Sequence, residues 1–261
     1  MTGNSPPGGF RTIAAFVLGA ALLGFAGGWA WQATGAGRGA TEAIVRDYIL
    51  DHPEVLPEAM QRLQEREIAH RIAPLRAALE APYPGAVLGN PQGSVVLVEF
   101  ADYACPFCRQ SVEDVEALIA ANKDLKVVLR EDPVLSEESA DAARMALAAA
   151  DQGRFAAFHK AMYAQDGVSA QTIAAAARQA GVDLAKAQAA IAAGKYDSEL
   201  ENNRLLAATI GFSGTPAWVA GNQGFAGAVG KDTLNAAIAQ ARGEARGEAQ
   251  DNARTGDGKT S

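Results

Sequence analysis

Val95-Val96-Leu97-Val98-Glu99-Phe100 leads through Ala101-Asp102-Tyr103-Ala104 into Cys105-Pro106-Phe107-Cys108, and the reading of the chain turns on this stretch. The first six residues are a short apolar run rich in β-branched side chains, which predicts a buried strand. Beyond the cysteines, Val112, Val115, Leu118 and Ile119 recur at helical spacing within residues 111–122. The cysteine pair therefore falls at a strand-to-helix junction. Pro106 suits the first turn of that helix, where its missing N–H costs nothing.

A Cys-x-x-Cys pair in this position suits redox chemistry. The two sulfurs lie one turn apart and can bond with little backbone movement. Unpaired N–H groups at the helix start favour the thiolate of the first cysteine, Cys105. The chain has no other cysteine, so no other thiol competes. Two blander uses fit less well. A structural zinc needs four ligands, and the remaining candidates, His52, His70 and His159, are scattered. A structural staple closing so short a loop would remove little unfolded-state entropy, and a chain of 261 residues does not depend on one. No metal and no cofactor is expected.

Composition bounds the rest. Hydrophobic residues make up 49% of the chain, enough for a sizeable core, and the net charge of −7 argues against nucleic acid as a partner. Residues 12–31, TIAAFVLGAALLGFAGGWAW, carry no charge. As a helix this run would span about 30 Å, the thickness of a bilayer core. Arg11 precedes it, and Trp29 and Trp31 stand at its far end, where aromatic residues favour the membrane interface. It exceeds the roughly 7–15-residue apolar region of a cleaved signal peptide. An uncleaved anchor within residues 1–32 is expected; the alternative is a signal peptide cut within 33–40. The thin charge bias leaves the bulk of the chain exported, in an oxidising compartment.

Residues 33–40 read as a small-residue linker. Residues 41–81 read as helical, with Thr41 as N-cap and Pro53 as an interruption. Ile44, Val45, Tyr48 and Ile49, then Leu56, Met60 and Leu63, then Ile68, Ile72, Leu75 and Leu79, mark the apolar positions. So short a stretch cannot bury that face on itself. It packs on the main domain or on a second chain; self-association is the sharper reading, and the pattern leaves both open. Pro82, Pro84 and Gly85 mark a boundary. From 85 to 242 the pattern predicts strands near 86–88, 95–100 and 125–130, then an Ala-rich helical block over 136–209. A strand at 217–220, the turn Gly221-Asn222, a further strand around 224–225 and a closing helix at 231–242 follow. Residues 243–261, polar and Gly-rich, are expected to be disordered.

This order is that of an α/β, thioredoxin-like sheet with an all-helical insertion. The chain also resembles the DsbA-like branch of the thioredoxin superfamily, exported thiol–disulfide oxidoreductases. The residues that carry the resemblance are Val98 through Cys108, Glu131-Asp132-Pro133-Val134-Leu135 and Gly211-Phe212-Ser213-Gly214-Thr215-Pro216-Ala217-Trp218. Ile44 to Leu50 and Pro53-Glu54-Val55-Leu56 look like the N-terminal helical segment of family members that self-associate.

The resemblance implies a cis-proline at Pro216 opposite the cysteines, with Thr215 offering backbone groups to an extended substrate and touching the sulfur. By residue type alone Pro216 reads as an ordinary trans turn proline. The resemblance also implies that Glu99 accepts or donates the Cys108 proton; by pattern alone Glu99 could equally face solvent. Catalytic roles thus fall to Cys105, Cys108, Pro216, Thr215 and Glu99, and substrate contacts to Thr215, Pro216, Phe107 and Pro106. Asp102, Tyr103 and Arg109 flank the site.

The implied activity is disulfide exchange on exported proteins, in the bacterial periplasm, from an inner-membrane anchor at 12–31. Oxidation of substrate thiols is the preferred direction. The unfamiliar Pro106-Phe107 dipeptide and the N-terminal helices keep a self-associating isomerase or reductase as the alternative. A membrane redox partner would reset the pair, and a homo-oligomer would form through residues 41–80. A non-enzymatic holdase for unfolded chains is the rival of another class, and zinc or copper handling a third.

Overall fold

The computed structural model describes residues 19–20 and 36–256. The chain divides into two compact units, Met1–Arg62 and Leu63–Ser261. Helix α1, Ala36–Asp51, lies in the first; α2, Val55–Ile72, begins there and continues into the second. The break between them falls at His52–Glu54, where Pro53 cannot donate to a helical ladder.

Two expectations for this region are corrected. Helix α1 starts at Ala36, so residues 36–40 are helical rather than linker, and Thr41 lies inside the helix instead of capping it. Alanine and arginine at 36, 38 and 40 favour helix enough to carry the two intervening glycines. The apolar run 12–31 lies, but for Gly19 and Ala20, outside the described residues. Among the described residues no helix is long and apolar enough to cross a membrane.

The second unit is built on one sheet. Its strands are β1 (Val87–Gly89), β2 (Val95–Ala101), β3 (Leu125–Glu131), β4 (Ala217–Ala220) and β5 (Gln223–Ala226). They lie in the order β1-β3-β2-β4-β5. Strands β2 and β3 are parallel, and every other pairing is antiparallel. The parallel pair requires a crossover, which is α4, Pro106–Ala121. Five helices stand between β3 and β4: α5 (Glu137–Ala150), α6 (Phe155–Tyr163), α7 (Ala170–Gln179), α8 (Leu184–Ala192) and α9 (Asp197–Ile210). Side chains of Ser136, Ser169 and Asp183 cap α5, α7 and α8 by accepting from the backbone N–H three residues on. The run Ala146–Ala150 is buried almost completely, and its small side chains let α5 approach its neighbours closely.

Alternation along β2 sorts its residues between two cores. Val98 and Phe100 join Ile72, Leu79, Ile210, Phe212 and Val219 on one face. Val95, Leu97 and Ala101 join Val115, Leu118 and the insertion on the other. Glu99, in phase with Leu97 and Ala101, therefore points to the face of α4 and the cysteines.

Ile68, Ile72, Leu75 and Leu79 pack into the first of these cores. For this part of the helical segment, packing on the body is what the molecule does. After α2 come a single 3₁₀ turn, Ala73–Leu75, and α3, Arg76–Glu80. Arg130, 2% exposed, holds the end of α3 in place. Its guanidinium donates to the carbonyls of Ala78, Leu79 and Ala81, to Asn203 Oδ1 and to Glu199. Orphan carbonyls at a buried helix C-terminus are costly, and one planar cation satisfies several at once.

Two glycines have a steric reason. Gly211 ends α9 in the left-handed region, φ 100°. A Cβ on Gly224 would lie 2.7 Å from Ile68 Cγ2, so β5 needs glycine where α2 crosses it.

The last helix, α10, is Lys231–Gly256. The expected disorder of 243–256 is thus corrected. Glutamate, alanine and arginine supply seven of its fourteen residues and favour helix despite the segment's polarity and its glycines. Side chains anchor the junction: Arg242 donates to Asp124 and Asn122, and Glu244 accepts from the Asn222 N–H and pairs with Arg76 at 3.6 Å.

Candidate active site

The site assembles where β2 ends, α4 begins and β4 approaches. After Ala101 the chain turns, and Asp102 organises the turn. Its carboxylate is buried and accepts three backbone N–H groups: Ala104 at 2.8 Å, Val134 at 2.9 Å and Leu135 at 3.0 Å. One side chain thereby ties the approach to Cys105 to the loop after β3. The Cys105 N–H donates to Asp102 O at 3.0 Å, completing the turn.

Cys105 is the N-cap of α4, with extended backbone (φ −76°, ψ 118°), and Pro106 is the first helical residue. The unpaired N–H groups of the first turn are thus at the cysteine pair. Both cysteines are free thiols. They differ in setting. Cys108 is fully buried, and burial pushes its thiol far up, with the Glu99 carboxylate acting in the same direction. Cys105 is 4% exposed but flanked by exposed Ala104, Pro106 and Phe107, the last 55% exposed.

Cys105 Sγ donates to Thr215 O at 3.1 Å. The Thr215–Pro216 peptide bond is cis. The trans proline expected from residue type alone is therefore overturned, and the resemblance pointed the right way. Proline offers no N–H to a neighbouring strand, and its carbonyl accepts from the Gly227 N–H at 2.8 Å. Strand β4 carries this segment because it pairs with β2, with Phe100 opposite Ala217 and Glu99 opposite Trp218.

Glu99 is 4% exposed, so the solvent-facing alternative is overturned as well. Burial raises its carboxyl from 4.5 to about 8. At neutral pH it is mostly the uncharged acid, electrostatically coupled to Cys108.

Beside it, Tyr103 gathers residues whose place at the site pattern reading missed, His159 and Tyr163 among them. Tyr103 OH donates to Glu131 Oε1 at 3.1 Å and lies 3.3 Å from His159 Nδ1. Tyr163 OH donates to Asp102 O at 3.2 Å, and its ring packs 4.9 Å from both Tyr103 and His159. Burial holds Glu131 well above the usual carboxylate range and lowers His159 to about 4. A buried network of acid, phenol and neutral imidazole thus adjoins the thiols. Its signal in the sequence was faint: His159 and Tyr163 lie four apart, interleaved with the apolar positions Phe155, Phe158 and Met162. Arg109 donates to Tyr163 O and stacks over its ring at 5.9 Å. Among the described residues no group of three or more His, Cys, Asp or Glu side chains is placed to hold a metal ion.

Comparison with known proteins agrees with this geometry. Residues 83–240 match the family model described as thioredoxin. The chain belongs to the thioredoxin family. Residues 40–69 match a second model, the N-terminal domain of the copper resistance protein ScsC. Among solved structures, a thioredoxin-like oxidoreductase from Silicibacter pomeroyi DSS-3 is 38% identical with TM-score 0.61, over 64% of this chain and 97% of that one. The thiol-disulfide exchange protein α-DsbA2 from Wolbachia pipientis is 27% identical with TM-score 0.61, over 68% and 97%. A periplasmic thioredoxin-like protein from Salmonella enterica serovar Typhimurium is 27% identical with TM-score 0.56, over 65% and 96%. No curated protein sequence matches this chain. The molecule is a thiol–disulfide oxidoreductase of the DsbA-like and ScsC-like type.

Proposed function

We propose that the Cys105–Cys108 pair forms disulfides in exported proteins, in the periplasm, where the Salmonella relative is described as working. A substrate thiolate attacks Cys105 Sγ of the oxidised pair. The Cys105–Cys108 bond breaks, Cys108 leaves with the electron pair, and Glu99 gives it a proton. A second substrate thiolate then attacks the substrate sulfur of the mixed disulfide, and Cys105 leaves. The substrate gains a disulfide and the enzyme is left as the dithiol. A membrane redox partner would reoxidise it, and residues 12–31 would hold it at the inner membrane.

The observation that carries this reading is the asymmetry of the pair. Cys105 caps a helix beside exposed residues and touches Thr215, while Cys108 is sealed and driven toward its protonated form. Pro216, Thr215, Pro106 and Phe107 would form the ledge on which a substrate backbone lies. The test is direct. Pre-oxidised protein, mixed with a reduced, unfolded two-thiol substrate, is expected to transfer its disulfide within seconds, read by mass spectrometry of both partners. The equilibrium against glutathione should lie toward the reduced enzyme. A pair that stays oxidised against millimolar reduced glutathione would instead mark a reductase or isomerase.

The first unit supports self-association. Ile44, Val45, Tyr48, Leu50, Leu56 and Met60 are each at least half exposed. Apolar side chains exposed in that density along two successive helices are unusual unless a partner covers them. The full chain is expected to sediment as an oligomer. A triple variant, Ile44→Lys, Tyr48→Lys and Met60→Lys, should sediment as a monomer with an intact catalytic unit. A monomeric wild type would end this reading.

A further inference from the structure

Between α4, α6 and β1 lies a cavity of about 210 Å³. Its walls are mostly apolar, including Leu88, Val112 and Ile119, and Glu99 and His159 supply the buried polar groups. Exposed residues Gly89, Glu116, Ala156 and Lys160 form its mouth, with Lys160 Nζ 2.7 Å from Glu116 Oε1. The space is ample for several water molecules.

Glu99 needs such water. Its carboxyl is buried, and desolvation alone perturbs it: no hydrogen-bond partner among the described residues offsets the loss of solvent. A buried polar group without a protein partner is costly unless water reaches it. His159 supplies a second anchor for that water. Tyr103 gives its hydrogen to Glu131, so its oxygen accepts from His159 Nδ1–H. This assigns the neutral tautomer from the hydrogen-bond network and leaves Nε2 as an acceptor with no partner among the described residues. A water can accept from the Glu99 acid and donate to His159, polarising the chain of donors outward.

We infer that this cavity, lined by Glu99 and His159, is the path by which the Glu99 proton exchanges with solvent through water. The inference rests on the proposed role of Glu99 as proton partner of Cys108. Each substrate oxidation moves one proton from Glu99 to the leaving Cys108 sulfur; the carboxylate then takes a proton from solvent in the dithiol state, and one proton leaves again when Cys108 is deprotonated for reoxidation. The other titratable groups that face Glu99 are Cys108 on α4, Tyr103 after β2, Glu131 at the end of β3 and Tyr163 on α6. All four are buried, so none offers the proton an exit of its own.

Ala156 allows the path to be blocked from outside, because it is exposed at the mouth and its enlargement does not disturb the core. In the full-length reduced protein, deuterium uptake at the Glu99 carboxyl can be followed by its infrared C=O band, assigned by its absence in Glu99→Gln. Ala156→Phe is expected to slow uptake about tenfold or more while the Glu99 midpoint stays in place, and Ala156→Ser to leave the rate unchanged. Uptake as fast in Ala156→Phe as in the wild type, with a crystal structure showing the phenyl ring in the cavity, overturns the path. Resolution of a Cys105–glutathione mixed disulfide by Cys108 tests the underlying role separately. A Glu99→Gln rate equal to wild type removes Glu99 from catalysis, and the catalytic use of the path with it, whatever the infrared result.

Discussion

Serine at Cys105 will reduce disulfide exchange to the uncatalysed rate, whereas serine at Cys108 will turn the protein into a trap. The two variants separate because the two sulfurs have different neighbours. Cys105 is the N-cap of α4, beside exposed Pro106 and Phe107, and a substrate sulfur can approach it only there. Without it no mixed disulfide forms, because Cys108 is fully buried and its thiol is pushed far up. A protonated, inaccessible thiol is a poor nucleophile. In Cys108→Ser the first covalent step survives and the resolving thiol is gone. Incubation with a substrate bearing a labile disulfide should then yield a covalent adduct through Cys105, stable on a non-reducing gel and released by dithiothreitol. Alkylation of the reduced wild type near neutral pH should label Cys105 and spare Cys108. Equal labelling of both cysteines, or exchange at the wild-type rate in Cys105→Ser, would contradict the assignment. A holdase that merely uses the groove predicts that outcome, since the serine changes one buried atom.

How much of this could be read in advance depends on whether a residue's neighbours are near in sequence. Val95–Ala101 and Leu125–Glu131 were legible because apolar, β-branched runs bounded by turn residues have few other uses. The Cys105 N-cap followed from the strand before it and the helical spacing after it. Other features depend on distant partners. Nothing local to Arg130 says that its guanidinium ends under α3, because its acceptors lie about fifty and seventy residues away. His159 and Glu131 look like ordinary surface charges until α6 is folded over Tyr103. The helix over 243–256 was misread for the opposite reason: polarity was taken as disorder, where composition favoured helix and Glu244 had partners at Arg76 and Asn222. The cis bond before Pro216 was visible only through resemblance, because residue type alone favours trans.

Glutamine at Glu99 will stabilise the reduced protein, and the gain will grow with pH. The sign follows from proton linkage. In the folded protein burial holds the Glu99 carboxyl near 8, against 4.5 when unfolded. Between these values the folded state binds the proton and the unfolded state has released it. Stability then falls as pH rises, because the unfolded state binds fewer protons. Below the unfolded value both states are protonated and the acid costs no linkage energy. Above about 8 both are ionised, and the full cost of a buried carboxylate is present. At about 1.4 kcal/mol per pKa unit, the difference between 4.5 and about 8 corresponds to about 4–5 kcal/mol. Glutamine has nearly the same shape and cannot ionise, so it removes the slope. Urea unfolding of wild type and Glu99→Gln across this range should give nearly parallel stabilities at the acid end and curves that diverge toward the alkaline end. A difference independent of pH would mean that Glu99 is not held as the neutral acid. The stabilised variant should also be the slower enzyme, because Cys108 then leaves without a proton donor. A carboxyl kept in a core at such a cost to stability points to selection for its proton, and the expected loss of rate is the measure of that use.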